Sequence, residues 1–123
     1  MKSSLARLFF IIACSILATG AVLHASAFHR ILDALSTSNL APFAAKSLKA
    51  LWLADSATCL LIAALFACLA VKPSSTTRLA ALLVALIPAA TAVMIYTFIG
   101  SFIGGHVLLA AAVAAIAGAL LKS

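Results

Sequence analysis

The sequence predicts an all-α fold: a four-helix transmembrane bundle of two antiparallel helical hairpins, forming one integral membrane domain over residues 1–123. Three observations predict it. First, 67% of the residues are hydrophobic and 8% are charged, with a mean hydropathy of +1.32. Soluble domains carry about 45–50% apolar and about 25% charged residues. A chain this short cannot hide that much apolar surface in a core of its own, so lipid must cover the remainder. Second, the apolar residues fall into charge-poor intervals of membrane-crossing length. Third, all eight Lys and Arg residues lie at or beyond the ends of those intervals: Lys2, Arg7, Arg30, Lys46, Lys49, Lys72, Arg78 and Lys122. That placement is membrane-flanking charge rather than a basic stripe on a folded face, so the net charge of +6 does not point to nucleic acid.

The first helix is expected over about 6–34, because residues 8–28 carry no Asp, Glu, Lys or Arg and are long enough to cross. The segment "HRILDALS" continues the helical pattern with Phe28, Ile31, Leu32 and Leu35 on one side, and Arg30 and Asp33 at a spacing that suits a surface pair. The basic start, apolar run and Ala25-Ser26-Ala27 also suit a cleaved signal peptide. The run is long for that role and the periodicity continues through the cleavage site, so a retained first span is expected.

Ser36–Asn39 form a turn, and Pro42 suits the first turn of the second helix, with Asn39 or a neighbour as its cap. That helix is expected over about 43–71 and is interrupted only by Asp55 between residues 50 and 71. Both of the first two helices exceed a bilayer, so they are expected to protrude on the outer side. Residues 79–121 are free of fixed charge over 43 positions, about twice the roughly 20 that one span needs. Gly100, Ser101, Gly104 and Gly105 in "IGSFIGGH" place a turn there, dividing the stretch into helices of about 77–98 and 102–121. Ser75, Thr76 and Thr77 are candidate caps for the third helix, and Thr91 is placed to help the backbone freed by Pro88.

Small residues supply the packing faces, the main device where lipid removes the hydrophobic drive between helices. They are Gly20, Ala21 and Ala25 in the first helix, and Ala63, Ala64, Ala67 and Ala70 in the second. The fourth helix carries Ala110, Ala114 and Gly118, with Ala111, Ala115 and Ala119 one residue along. Such faces suit a compact bundle, a homo-oligomer or a larger membrane complex. With the N-terminus inside, five basic residues lie on the cytoplasmic side and three on the outer side. The positive-inside rule thus predicts an inner (plasma) membrane protein with both termini cytoplasmic.

Function is expected to reside in polar residues within the spans. A carboxylate at mid-bilayer costs roughly 2.5–3.5 kcal/mol on insertion scales, so such residues face the bundle interior and pair. Counted from the outer helix ends, His24, Asp55, Tyr96 and His106 fall at nearly one depth, one from each helix, with Trp52 a turn above Asp55. Trp52 suits either an interfacial belt or the lining of the Asp55 site. His29 is about 140° around the helix from His24 and belongs to the interface. The layer has three readings. It pins the helices by hydrogen bonds, it handles protons, ions or a small ligand through a His–Asp pair, or His24 and His106 hold a metal or haem, with Asp55 as ligand or acceptor. No cofactor motif and no nucleophile-plus-base spacing accompanies it, so no catalytic residue is named. Cys14, Cys59 and Cys68 lie in apolar runs without a C-x-x-C pair, which leaves them as small hydrophobic side chains.

Overall fold

A computed structural model describes residues 2–72 and 77–122. It contains five helices among them: α1 (Lys2–Ser26), α2 (Phe28–Ser36), α3 (Pro42–Val71), α4 (Arg78–Phe98) and α5 (Ile103–Leu121). Four segments are long and apolar enough to cross a membrane, with α1 and α2 together making the first. The fold is an all-α four-helix bundle of two hairpins, α1 with α3 and α4 with α5, joined through an α1–α5 seam. The chain order is therefore not the packing order. The helices adjoin as α3, α1, α5, α4, and the consecutive α3 and α4 share at most a marginal contact.

The seams follow from the small residues. Along α1, Ala6, Phe10, Ala13, Leu17 and Ala21 form a fully buried stripe at helical spacing. The Phe10 ring stacks on Phe66 of α3, with centroids 6.0 Å apart. α5 lies between two neighbours and needs two smooth faces. It has them in Ala111, Ala115 and Ala119 and in Ala114 and Gly118, all buried, whereas Ala110 is exposed. A Cβ on Gly118 would stand 3.2 Å from the Ala6 carbonyl oxygen and from the Phe10 ring. α4 meets α5 along Ala81, Ala85, Pro88 and Ala92, while Leu79, Leu83, Val93 and Met94 face outward, where lipid would cover them.

At about 1.5 Å per residue, α3 is about 45 Å long, against about 30 Å for the hydrocarbon layer. α4 and α5, at 21 and 19 residues, only match that layer. The surplus at the N-terminal end of α3 carries α2, which packs against it.

Several local features differ from the expectation. The first helix breaks at Ala27 (φ −79°, ψ 0°), where the His24 and Ser26 carbonyls bond to side chains. Trp52 donates its indole N–H to the His24 carbonyl (2.9 Å), which an unbroken helix would give to the Phe28 amide. His29 Nδ1–H donates to the Ser26 carbonyl (2.9 Å), and Ser26 Oγ–H to the Leu23 carbonyl (2.7 Å). Arg30 and Asp33 form no ion pair. The cap position of α3 is Ala41, without a side-chain bond, and Asn39 plays no part there; Pro42 does occupy the first turn. Thr77 caps α4 by accepting the Ala80 amide (3.1 Å), while Ser75 and Thr76 lie outside the described residues. Thr91 donates to the Ile87 carbonyl (3.0 Å), not to the Val84 carbonyl that Pro88 leaves free. Of the three glycines only Gly100, with φ +88°, lies in the turn between α4 and α5, together with Ser101; Gly104 and Gly105 already belong to α5.

Candidate functional site

The bundle axis is crowded at the level of the polar residues. A Cβ on Gly20 would lie 3.1 Å from Val107 Cγ1, and one on Gly105 would lie 3.0 Å from the Tyr96 ring. Ala21 beside them is buried. At this level α1 meets α5 through Gly20 and Val107, and α5 meets α4 through Gly105 and the Tyr96 ring. The ionisable groups sit instead at the edges of the bundle, in two clusters. This corrects the expectation that they face the interior and converge in one pocket.

The first cluster joins α1 to α3 around His24. Its Nδ1 and the Ser56 hydroxyl share a hydrogen bond of 2.8 Å, and its Nε2 lies 3.8 Å from Asp55 Oδ2. The imidazole stacks on the Trp52 indole at a centroid distance of 3.9 Å and an interplanar angle of 13°. Trp52, Asp55 and Ser56 reach one imidazole because positions three and four apart share a helix face. Ser56 is 4% exposed, whereas the His24 and Asp55 side chains are 30% and 44% exposed. Trp52 therefore stands in the same cluster as Asp55, joined to it through the His24 ring.

Proton bookkeeping in this cluster has two solutions. With a neutral His24 protonated on Nε2, the Ser56 hydroxyl donates to Nδ1. With an imidazolium, Nδ1–H donates to Ser56 Oγ, and the Ser56 hydrogen turns to the Trp52 carbonyl, 3.3 Å away. Nε2–H then faces Asp55, which makes no hydrogen bond of its own. Each state leaves every buried polar side-chain atom partnered. The Ser56–His24–Asp55 chain has the residue types of a hydrolytic triad, but the buried hydroxyl has no approach for a substrate.

The second cluster joins α4 to α5. Tyr96 Oη and His106 Nδ1 are 2.8 Å apart, and His106 Nε2 lies 3.3 Å from Ser101 Oγ in the turn. A neutral ring accepts from the tyrosine and donates to the serine. His106 is exposed, and Ala110 and Val113 below it are exposed as well, so its side of α5 is not a packing face.

No hydrogen bond, ion pair or ring contact links the two clusters among the described residues. Nor do three His, Cys, Asp or Glu side chains gather there as metal ligands. His24 and His106 are each engaged elsewhere, so ligation of a metal or haem by the pair finds no support. The cysteines are free, with Cys14 and Cys59 half-buried and Cys68 exposed. A shallow apolar recess lined by Cys14, Ser15, Ala67 and Ala70 lies some ten residues along α1 from His24 and touches neither cluster.

Sequence reasoning set Asp55 against His24 or His106 and did not assign Ser56 to the layer. It placed Ser101 in the turn and not beside His106. The signal for Ser56 was its place one turn below Trp52 on the Asp55 side of a membrane helix. Compared with protein families, with curated proteins and with solved structures, the chain matches none of them.

Proposed function

We propose that this chain is a small proton-responsive protein of the inner (plasma) membrane, with its termini in the cytoplasm and the His24–Asp55 cluster in the outer half. The observation that carries the reading is the setting of one imidazole. Both ring nitrogens are aimed at oxygens, Ser56 at 2.8 Å and Asp55 at 3.8 Å, and the ring lies flat on Trp52. Histidine is the side chain whose ordinary titration falls near neutrality. In its charged form both ring nitrogens donate, one to the Ser56 hydroxyl and one towards the Asp55 carboxylate. The part-exposed edge gives protons a way in from the outer side.

Trp52 is the single tryptophan of the chain, so its fluorescence reports on His24. A stacked imidazolium quenches indole emission more than a neutral imidazole does. Acidification of the detergent-solubilised protein should lower the emission sigmoidally, and His24→Gln should flatten that curve while the protein stays folded. An emission that ignores pH between 5 and 9 would sink the proposal.

A second reading is a structural or assembly subunit, in which the clusters only hold helices together. The outward flanks of α3 and α4, which scarcely meet, favour it by leaving room for a second copy or another membrane protein. It predicts that His24→Gln lowers thermal stability without any pH-dependent signal to lose.

A further inference from the structure

We infer that the joint between α1 and α2 is governed by the charge on His24: protonation clamps the end of α1 to α3, and deprotonation loosens α2. This rests on the proton-responsive reading above and adds what the proton controls.

The joint is poor in helical bonds of its own. The Ala27 amide is shared between the Leu23 and His24 carbonyls at 3.2 Å each, and the next backbone bond runs from the Arg30 amide to the Ala27 carbonyl. What holds the end of α1 is α3, and it does so through one residue. Trp52 grips the backbone of His24 through the indole N–H and its side chain through ring stacking, while Asp55 and Ser56 hold the two nitrogens. The N–H bond to the carbonyl does not depend on charge. The stacking and the Asp55 contact do, because a cation on the ring gains from the indole face and from the carboxylate. Both gains fall three residues before the break, at the last turn that α1 makes.

The other charged and titratable groups near the joint do not reproduce this effect. From α3, Lys49 stands three residues before Trp52, and Cys59 lies a turn below Asp55. From α2, Arg30 and Asp33 are exposed, and His29 donates through Nδ1–H to the Ser26 carbonyl whether its other nitrogen is protonated or not. From α5, His106 is held by Tyr96 and Ser101. His24 is the titratable group of this set that bridges α1 to α3.

The test is amide hydrogen exchange of the intact protein in detergent across residues 25–33, read at pH 5.5 and 8.5 and corrected for the intrinsic exchange rates. Trp52 fluorescence is recorded in parallel. Protection of the joint is expected to be roughly five- to tenfold higher in acid, the scale of one cation–π contact plus one half-exposed ion pair. His29→Gln should keep that difference and His24→Gln should remove it. Fluorescence that titrates while the joint exchanges equally at both pH values overturns this inference and leaves the proton-responsive reading standing. A difference lost in His29→Gln but kept in His24→Gln overturns it too, by moving the control to the wrong histidine. Fluorescence that does not titrate removes both. The unaltered protein alone decides the first and third outcomes, so neither depends on a variant folding.

Discussion

The His24 ring lies 3.9 Å from the Trp52 indole, and the same indole donates a 2.9 Å hydrogen bond to the His24 backbone carbonyl. One side chain of α3 therefore holds both the ring and the backbone of one residue of α1, and substitutions separate the two grips. Trp52→Phe keeps an aromatic face and loses the N–H donor, at an expected cost of about 1 kcal/mol. Trp52→Ala loses both and should cost about 3 kcal/mol. Equilibrium unfolding from mixed micelles measures the two; equal losses would show that stacking contributes nothing.

The two polar clusters share no contact, so they should act independently. Ser56→Ala strips His24 Nδ1 of its partner, and Tyr96→Phe strips His106 Nδ1. Each should destabilise by about 1 kcal/mol, and the double variant by their sum within about 0.5 kcal/mol. A coupling well above that in the double-mutant cycle would mean that the clusters communicate through the α1–α5 seam.

Two glycines test different physics. Gly100 has φ +88° with nothing within 4 Å of an added Cβ, so Gly100→Ala should cost about 1 kcal/mol from backbone strain alone. Gly100→Asn should cost less, since asparagine tolerates that region. Gly118 faces a backbone oxygen that cannot step aside, so Gly118→Val should cost more than Gly100→Ala by forcing α1 away from α5. Melting temperatures in detergent rank the three, and a Gly118→Val protein as stable as Gly100→Ala would contradict this α1–α5 seam.

Thr77 caps α4 through the Ala80 amide. Thr77→Ala should cost about 1 kcal/mol and Thr77→Ser almost nothing, because the hydroxyl makes the bond. The comparison is again by unfolding, with the Trp52 titration expected to be unchanged in both.

How much of this was legible beforehand depended on whether a feature is local. The four spans, the Thr77 cap, Pro42 in a first turn and the turn at Gly100 each follow from residues within a few positions of one another. Charge-free length sets a span, a hydroxyl before a helix satisfies its first amides, and a positive φ calls for glycine. Depth was also readable, because the rise per residue turns sequence distance into height. The Gly20–Val107 contact accordingly brings His24 and His106 to within about a turn of the same level.

Which helices are neighbours was not readable. Height along the bilayer normal says nothing about position around the bundle, and small residues on every helix made several packings plausible. Only the tertiary structure set α1 against α5 and parted α3 from α4. That choice put His24 with Trp52, Asp55 and Ser56, and His106 with Tyr96 and Ser101. The reason is steric: Gly20 and Ala21 admit α5 against α1, Gly105 admits the Tyr96 ring of α4 against α5, and these close contacts leave the polar side chains at the edges. The sequence by itself determined a four-span membrane chain with four polar residues at one level; the packing of its smallest residues decided that they meet in pairs.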